Sequence, residues 1–85
     1  MKNNSQMLKV DTREFFEKCA DESPIKYMGK IAFSYYTETD NCYCIAQEED
    51  WESIYEDQVA NVYFVRDNVF IIEHDNGDTS QVEMM

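Results

Sequence analysis

Basic residues are scarce in this chain of 85 residues, and so is glycine. Seven lysines and arginines stand against 18 carboxylates, a formal net charge of −11. Arg66 is the only Lys or Arg beyond residue 30. A surface so acidic is repelled by nucleic acid and by anionic membranes, which argues against direct binding to either. The two glycines, Gly29 and Gly77, cannot make a glycine-rich phosphate loop. The single histidine, His74, stands beside Asp75 with no nucleophile or second ligand fixed near it, and reads as a solvent-facing strand-end residue. Cys19, Cys42 and Cys44 lack C-x-x-C spacing and are read as reduced, packed thiols. No stretch approaches the roughly 18 apolar residues of a membrane span, and MKNNSQML lacks the apolar core of a secretion signal, so a cytoplasmic location is expected. Carboxylates abound, but no pair is set apart by apolar surroundings that would tune it for proton transfer. No catalytic residue, metal site or cofactor is expected.

The residues that are present suffice for a core: 44% are hydrophobic and 14% aromatic. We expect one domain over residues 1–85, with 1–5 frayed. Gln6 to Val10 reads as a short strand with Leu8 and Val10 on one face. Asp11 and Glu14 have capping-box spacing and open a helix whose apolar stripe is Phe15, Phe16, Cys19 and Ala20. Pro24 ends it by Asp21-Glu22-Ser23. From Lys30 the period becomes two: Ile31, Phe33 and Tyr35 alternate with Ala32, Ser34 and Tyr36 up to Thr37. After the turn Glu38-Thr39-Asp40-Asn41, Cys42 to Gln47 returns as a strand. Trp51, Ile54 and Tyr55 have helical spacing, with Asp50 as N-cap. Strands follow at Val62–Val65, Val69–Glu73 and Thr79–Met84, the last two joined through Asn76-Gly77. The class expected is α+β: an antiparallel sheet of about five or six strands, with one or two short helices packed on one face.

The acids are unevenly placed. Residues 31–85 hold thirteen of them, against the one arginine. Carboxylates on alternate strand residues, roughly 6.6–6.8 Å apart, and on adjoining turns fall on the scale of backbone phosphates. Such a field attracts the basic surface of a protein that itself binds nucleic acid, and aromatics or sulfur beneath it can receive an apolar side chain. A metal site from Cys42, Cys44 and His74 is the competing enzyme or carrier reading, on weak spacing.

Ile31 to Ala46, IAFSYYTETDNCYCIA, resembles the central hairpin of the phage uracil-DNA glycosylase inhibitor (Ugi) family: an apolar residue, a Tyr, an acidic Thr-Asp turn and an apolar return. VFIIEHDNGDTSQVEMM is similar to the last hairpin of that family, through Ile72, Asn76-Gly77 and Met84. The resemblance implies a 1:1 complex with bacterial uracil-DNA glycosylase, by a monomer that mimics DNA in the enzyme's groove. It further implies a hydrophobic pocket around the leucine the enzyme would push into the duplex. Carried onto this chain, the pocket comprises Leu8, Phe15, Phe16, Cys19, Ile31, Cys44 and Ala46. The edge strand and acidic surface comprise Ser5, Gln6, Met7, Glu38, Asp40, Glu48, Glu49, Asp50, Glu52, Asn76 and Asp78. Ser5-Gln6-Met7 stands where the family has Glu-Ser-Ile. The alternative target is another phage-defence nuclease, of the restriction or CRISPR kind.

Overall fold

The computed structural model describes residues 8–85; the expected contacts at Ser5, Gln6 and Met7 lie outside them. The chain runs β1 (Leu8–Val10), α1 (Thr12–Glu22), β2 (Ile25–Tyr27), β3 (Lys30–Thr37), β4 (Cys42–Gln47) and β5 (Ser53–Tyr55). A single 3-10 turn (Glu56–Gln58) leads to β6 (Val59–Arg66), β7 (Val69–His74) and β8 (Thr79–Met84). All strands join one antiparallel sheet in the order β1-β6-β7-β8-β2-β3-β4-β5. The sheet has eight strands where five or six are expected from sequence. β2 and β5 make the difference, each too short to show a period of its own.

Local chemistry accounts for most boundaries. Asp11 caps α1, its side chain accepting from the Glu14 backbone N–H at 2.9 Å, which satisfies one of the helix's orphan donors. The helix runs two residues past Ala20 and stops before Pro24. Ser23 then fastens it to the sheet. Its hydroxyl donates to the Cys19 carbonyl at 2.8 Å and accepts from the Ser34 N–H at 3.0 Å, a donor beyond the reach of β2, which begins only after Pro24. Asn41, Trp51 and Asn68 adopt positive φ at hairpin turns.

The expected helical turn at Trp51–Tyr55 is a strand instead. β5 pairs with β4 through Cys44–Tyr55, Ile45–Ile54 and Ala46–Ser53. Ile54 is thereby buried beside Ile45 in the core, and tertiary pairing outweighs the weak helical spacing. Asp50 caps nothing; it forms an ion pair with Lys30.

Helix α1 covers one face of the sheet, and the core lies between them. Phe15, Phe16 and Cys19 from the helix pack with Ile25, Ala32, Ile45, Ile54, Val62, Ile72, Val82 and Met84. The strand period decides the sides. Ala32 and Ser34, small residues, face the helix and let it approach. Ile31, Phe33 and Tyr35 face away.

Candidate partner-binding surface

The face turned away from the helix has an unusual stretch on β3, β4 and β5. Cross-strand register sets Phe33 opposite Ala46, Tyr35 opposite Cys44 and Thr37 opposite Cys42. On the next strand Tyr55 lies opposite Cys44, and Ser53 opposite Ala46. Phe33 is 42% exposed and Tyr35 50%. Cys42 and Cys44 are buried on this same face; they are short side chains between rows of larger ones. Burial pushes the Cys44 thiol up from its ordinary pKa, with the Tyr35 hydroxyl acting the other way. The Tyr35 phenol is raised chiefly by its pairing with that thiol. The result is an apolar and aromatic patch in which the Cys44 thiol is held protonated.

Carboxylates bracket the patch at both ends. The β3–β4 turn carries Glu38 and Asp40, and the β4–β5 turn Glu48, Glu49, Asp50 and Glu52, all exposed. The strand between them, at eight residues, spans about 24 Å. Lys30 is engaged with Asp50, and Lys26 sits on the same face opposite Ile31. Beyond the turn's acids Trp51 projects into solvent, 78% exposed.

Behind the patch the hairpin is braced. Arg13 donates through Nε to Glu56 at 2.8 Å, and Glu56 also accepts from the Tyr43 N–H at 3.1 Å. The guanidinium stands 5.3 Å from the Tyr43 ring centre and 6.0 Å from that of Tyr36. Its pKa is raised, first by the hydrogen bond to Glu56.

The structure divides the expected hydrophobic pocket between two faces. Phe15, Phe16 and Cys19 are core residues on the helix side, whereas Ile31, Cys44 and Ala46 lie on the outer face. Alternation along β3 and β4 forbids the two sets from meeting. Leu8 is on edge strand β1, 64% exposed. An apolar cleft does exist between helix and sheet, about 420 Å³ in volume, but Val10, Phe15, Phe64 and Phe70 line it, with Asp11, Glu14 and Lys18 at its rim.

Of the residues expected on the acidic surface, Glu48, Glu49, Asp50, Glu52, Asn76 and Asp78 share one end of the molecule. Antiparallel pairing brings the β2–β3, β4–β5 and β7–β8 turns together there. Glu38 and Asp40 occupy the other end of the β3–β4 hairpin.

His74 is not solvent-facing. It points to the helix side, half-buried, with Nε2 2.7 Å from Ser80 Oγ. Cys42 and Cys44 face the opposite side of the sheet, so these three donors do not converge. Phe33, Tyr35, Tyr55 and Trp51 escaped the sequence reading as surface residues. The small side chains of Ala32 and Ser34 were the available sign of which face the helix covers. No family model, curated protein or solved structure matches this chain, and the functional reading rests on its own residues.

Proposed function

We propose that the protein is a DNA-mimicking inhibitor, not an enzyme, and that it occupies the DNA-binding groove of a bacterial uracil-DNA glycosylase as a 1:1 complex. The observation that carries this reading is the outer face of β3–β5, where exposed aromatics are bracketed by carboxylates about 24 Å apart. Charge of that sign steers a basic groove onto the surface, and the apolar centre supplies the area that is desolvated on contact. The identity of the target rests on the hairpin resemblance. In this arrangement the enzyme's intercalating side chain seats among Ile31, Phe33 and Ala46 on the outer face, rather than beneath the helix.

A second reading keeps the surface and changes the target to a restriction or CRISPR nuclease. It is favoured by the openness of the patch, since Ile31, Cys44 and Ala46 form no enclosed pocket with the helix. One experiment separates the two. Equimolar protein is mixed with a bacterial glycosylase, and cleavage of a uracil-containing oligonucleotide is followed beside a native gel. Blocked cleavage with a shifted band supports the first reading. Unchanged cleavage with no complex rejects it, and recovery of a nuclease in a pull-down then supports the second.

A further inference from the structure

The sequence leaves His74 without a nucleophile beside it; the fold supplies one. His74 ends β7 and Ser80 lies on β8, across the hairpin that turns at Gly77. His74 Nε2 stands 2.7 Å from Ser80 Oγ, within the distance at which a base takes the proton of an attacking hydroxyl. Both side chains line a polar cavity of about 520 Å³ between the β2–β3, β4–β5 and β7–β8 turns, and Tyr27 joins them on its wall. Ser80 is 7% exposed, so its hydroxyl is shielded from bulk solvent and still borders a space that a small molecule can enter.

Tyr27 sets the direction of the protons. Its hydroxyl donates to Ser80 Oγ at 3.3 Å, and burial pushes the phenol up, so that it keeps its proton. With that bond accepted, the serine's own proton is directed at His74 Nε2, and the imidazole carries its hydrogen on Nδ1. The backbone of His74 is held on both sides: its N–H donates to the Asp78 carbonyl at 2.8 Å, and its carbonyl accepts from the Gly77 N–H at 3.0 Å. Hydroxyl donor, nucleophile and base thus stand in order, with the base fixed in place. This is the arrangement by which a serine, weak on its own, becomes reactive.

We propose that Ser80 is a nucleophile activated by His74, and that it accepts an acyl group from an activated carboxylic ester entering this cavity. Ser80 Oγ bonds to the acyl carbon, and the bond from that carbon to the ester's alcohol oxygen breaks. The serine proton passes to His74 Nε2 and from there to the departing oxygen. The products are an acyl-serine and a free alcohol, and His74 is neutral again. Glu52 and Asp78 on the cavity wall disfavour an anionic donor, so the ester is neutral or cationic. This chemistry is independent of the inhibitor reading, since it uses none of the outer-face aromatics.

The probe is para-nitrophenyl acetate, incubated with the native protein and followed by peptide mapping of the acetyl group. Ser80 should be labelled ahead of Ser53, which lines the same cavity and is exposed; accessibility alone would give the opposite order. His74→Gln should slow labelling of Ser80 by about a hundredfold and leave labelling of the lysines unchanged. The ring-sulfonated, anionic counterpart of the probe should label Ser80 about tenfold more slowly, relative to the lysines. A measurement on the unmodified chain covers the case in which the variant does not fold: long-range 1H–15N correlation of the His74 ring at about pH 8 should place the hydrogen on Nδ1. The assignment is overturned by a hydrogen on Nε2, by no acetyl group at Ser80 or labelling of Ser53 first, by an unchanged Ser80 rate in folded His74→Gln, or by equal labelling from the sulfonated probe.

Discussion

Trp51 offers the sharpest test, because its backbone and its ring make opposite demands. The residue has φ of +61° in the β4–β5 turn, a region that costs a residue with a side chain about 1–2 kcal/mol relative to one without. The ring is 78% exposed, so contacts within the molecule do little to offset that strain. Strain retained at an exposed aromatic points to a use outside the fold. Trp51→Gly and Trp51→Ala remove the same ring and differ only in backbone tolerance. The glycine variant should be the more stable of the two by about 1 kcal/mol, or about 4–8 °C in Tm for a domain of this size. Binding should fall equally in both. A tryptophan side chain presents up to about 250 Å², so roughly 195 Å² is open here; a partner covering half gains about 2.5 kcal/mol, between one and two powers of ten in Kd. Thermal melts followed by circular dichroism and titration calorimetry against the glycosylase read the two effects separately. If both variants bind as tightly as the native chain, Trp51 is not a contact. If the alanine variant melts above the glycine one, the strain argument is wrong.

Three further outcomes follow from the same geometry. Ser23→Ala removes the acceptor for the Ser34 N–H and should cost about 1–2 kcal/mol in urea unfolding; an unchanged midpoint would mean that water replaces the hydroxyl without loss. Ala46→Trp, which raises a bulky ring in the middle of the outer face, should weaken inhibition more than Glu49→Gln, whose single rim charge tunes mainly the association rate. Binding by both variants, each checked for native folding, would show the reverse ranking if the surface acts by charge alone. Burial in the core pushes the Cys19 thiol up to about 12 from its ordinary 9.0, so the folded state keeps a proton that the unfolded chain releases. Stability is then unaffected below about pH 9 and declines as pH rises toward 12, by up to ~1.4 kcal/mol per pH unit, and Cys19→Ala should flatten that decline.

Much of the fold was legible because its elements carry their own signals. The strands Lys30–Thr37, Cys42–Gln47 and Thr79–Met84 have the bounds that alternation and turn chemistry indicate, and Asp11 is the helix cap that its spacing to Glu14 implies. β2 and β5 were hidden for a physical reason. A three-residue strand shows no period, and each exists only because a longer neighbour offers unpaired backbone groups. The site was less legible than the fold. Period two divides a strand's residues into two sets, but it does not say which set the helix covers. The hairpin resemblance is what assigned Ile31, Cys44 and Ala46 to a pocket with Phe15, Phe16 and Cys19, and the period alone offered no check on it; the two groups lie on opposite sides of the sheet. His74 was misplaced in the same way, since its facing is settled by a hydrogen bond to Ser80, six residues away across a hairpin.

The outer face itself supplies the strongest argument for an external partner, because its two halves differ. On β6, β7 and β8 it is built as a solvated surface. Asn61 and Tyr63 both hydrogen-bond to Glu73, Thr79, Gln81 and Glu83 are exposed, and the apolar Val69 and Ile71 are buried and half-buried. On β3, β4 and β5 the same face of the same sheet carries Ile31, Phe33, Tyr35 and Tyr55. Folding does not require them there, since these strands already contribute Ala32, Ile45 and Ile54 to the core on the other side. Exposed aromatics beside an edge strand also invite self-association. With a net charge of −11 and acidic turns at both ends of the patch, two copies approaching through this face would bring like charges together. A surface that is sticky at its centre and repels its own kind at its rim suits a basic partner, which is what the proposed competition with DNA for a groove requires.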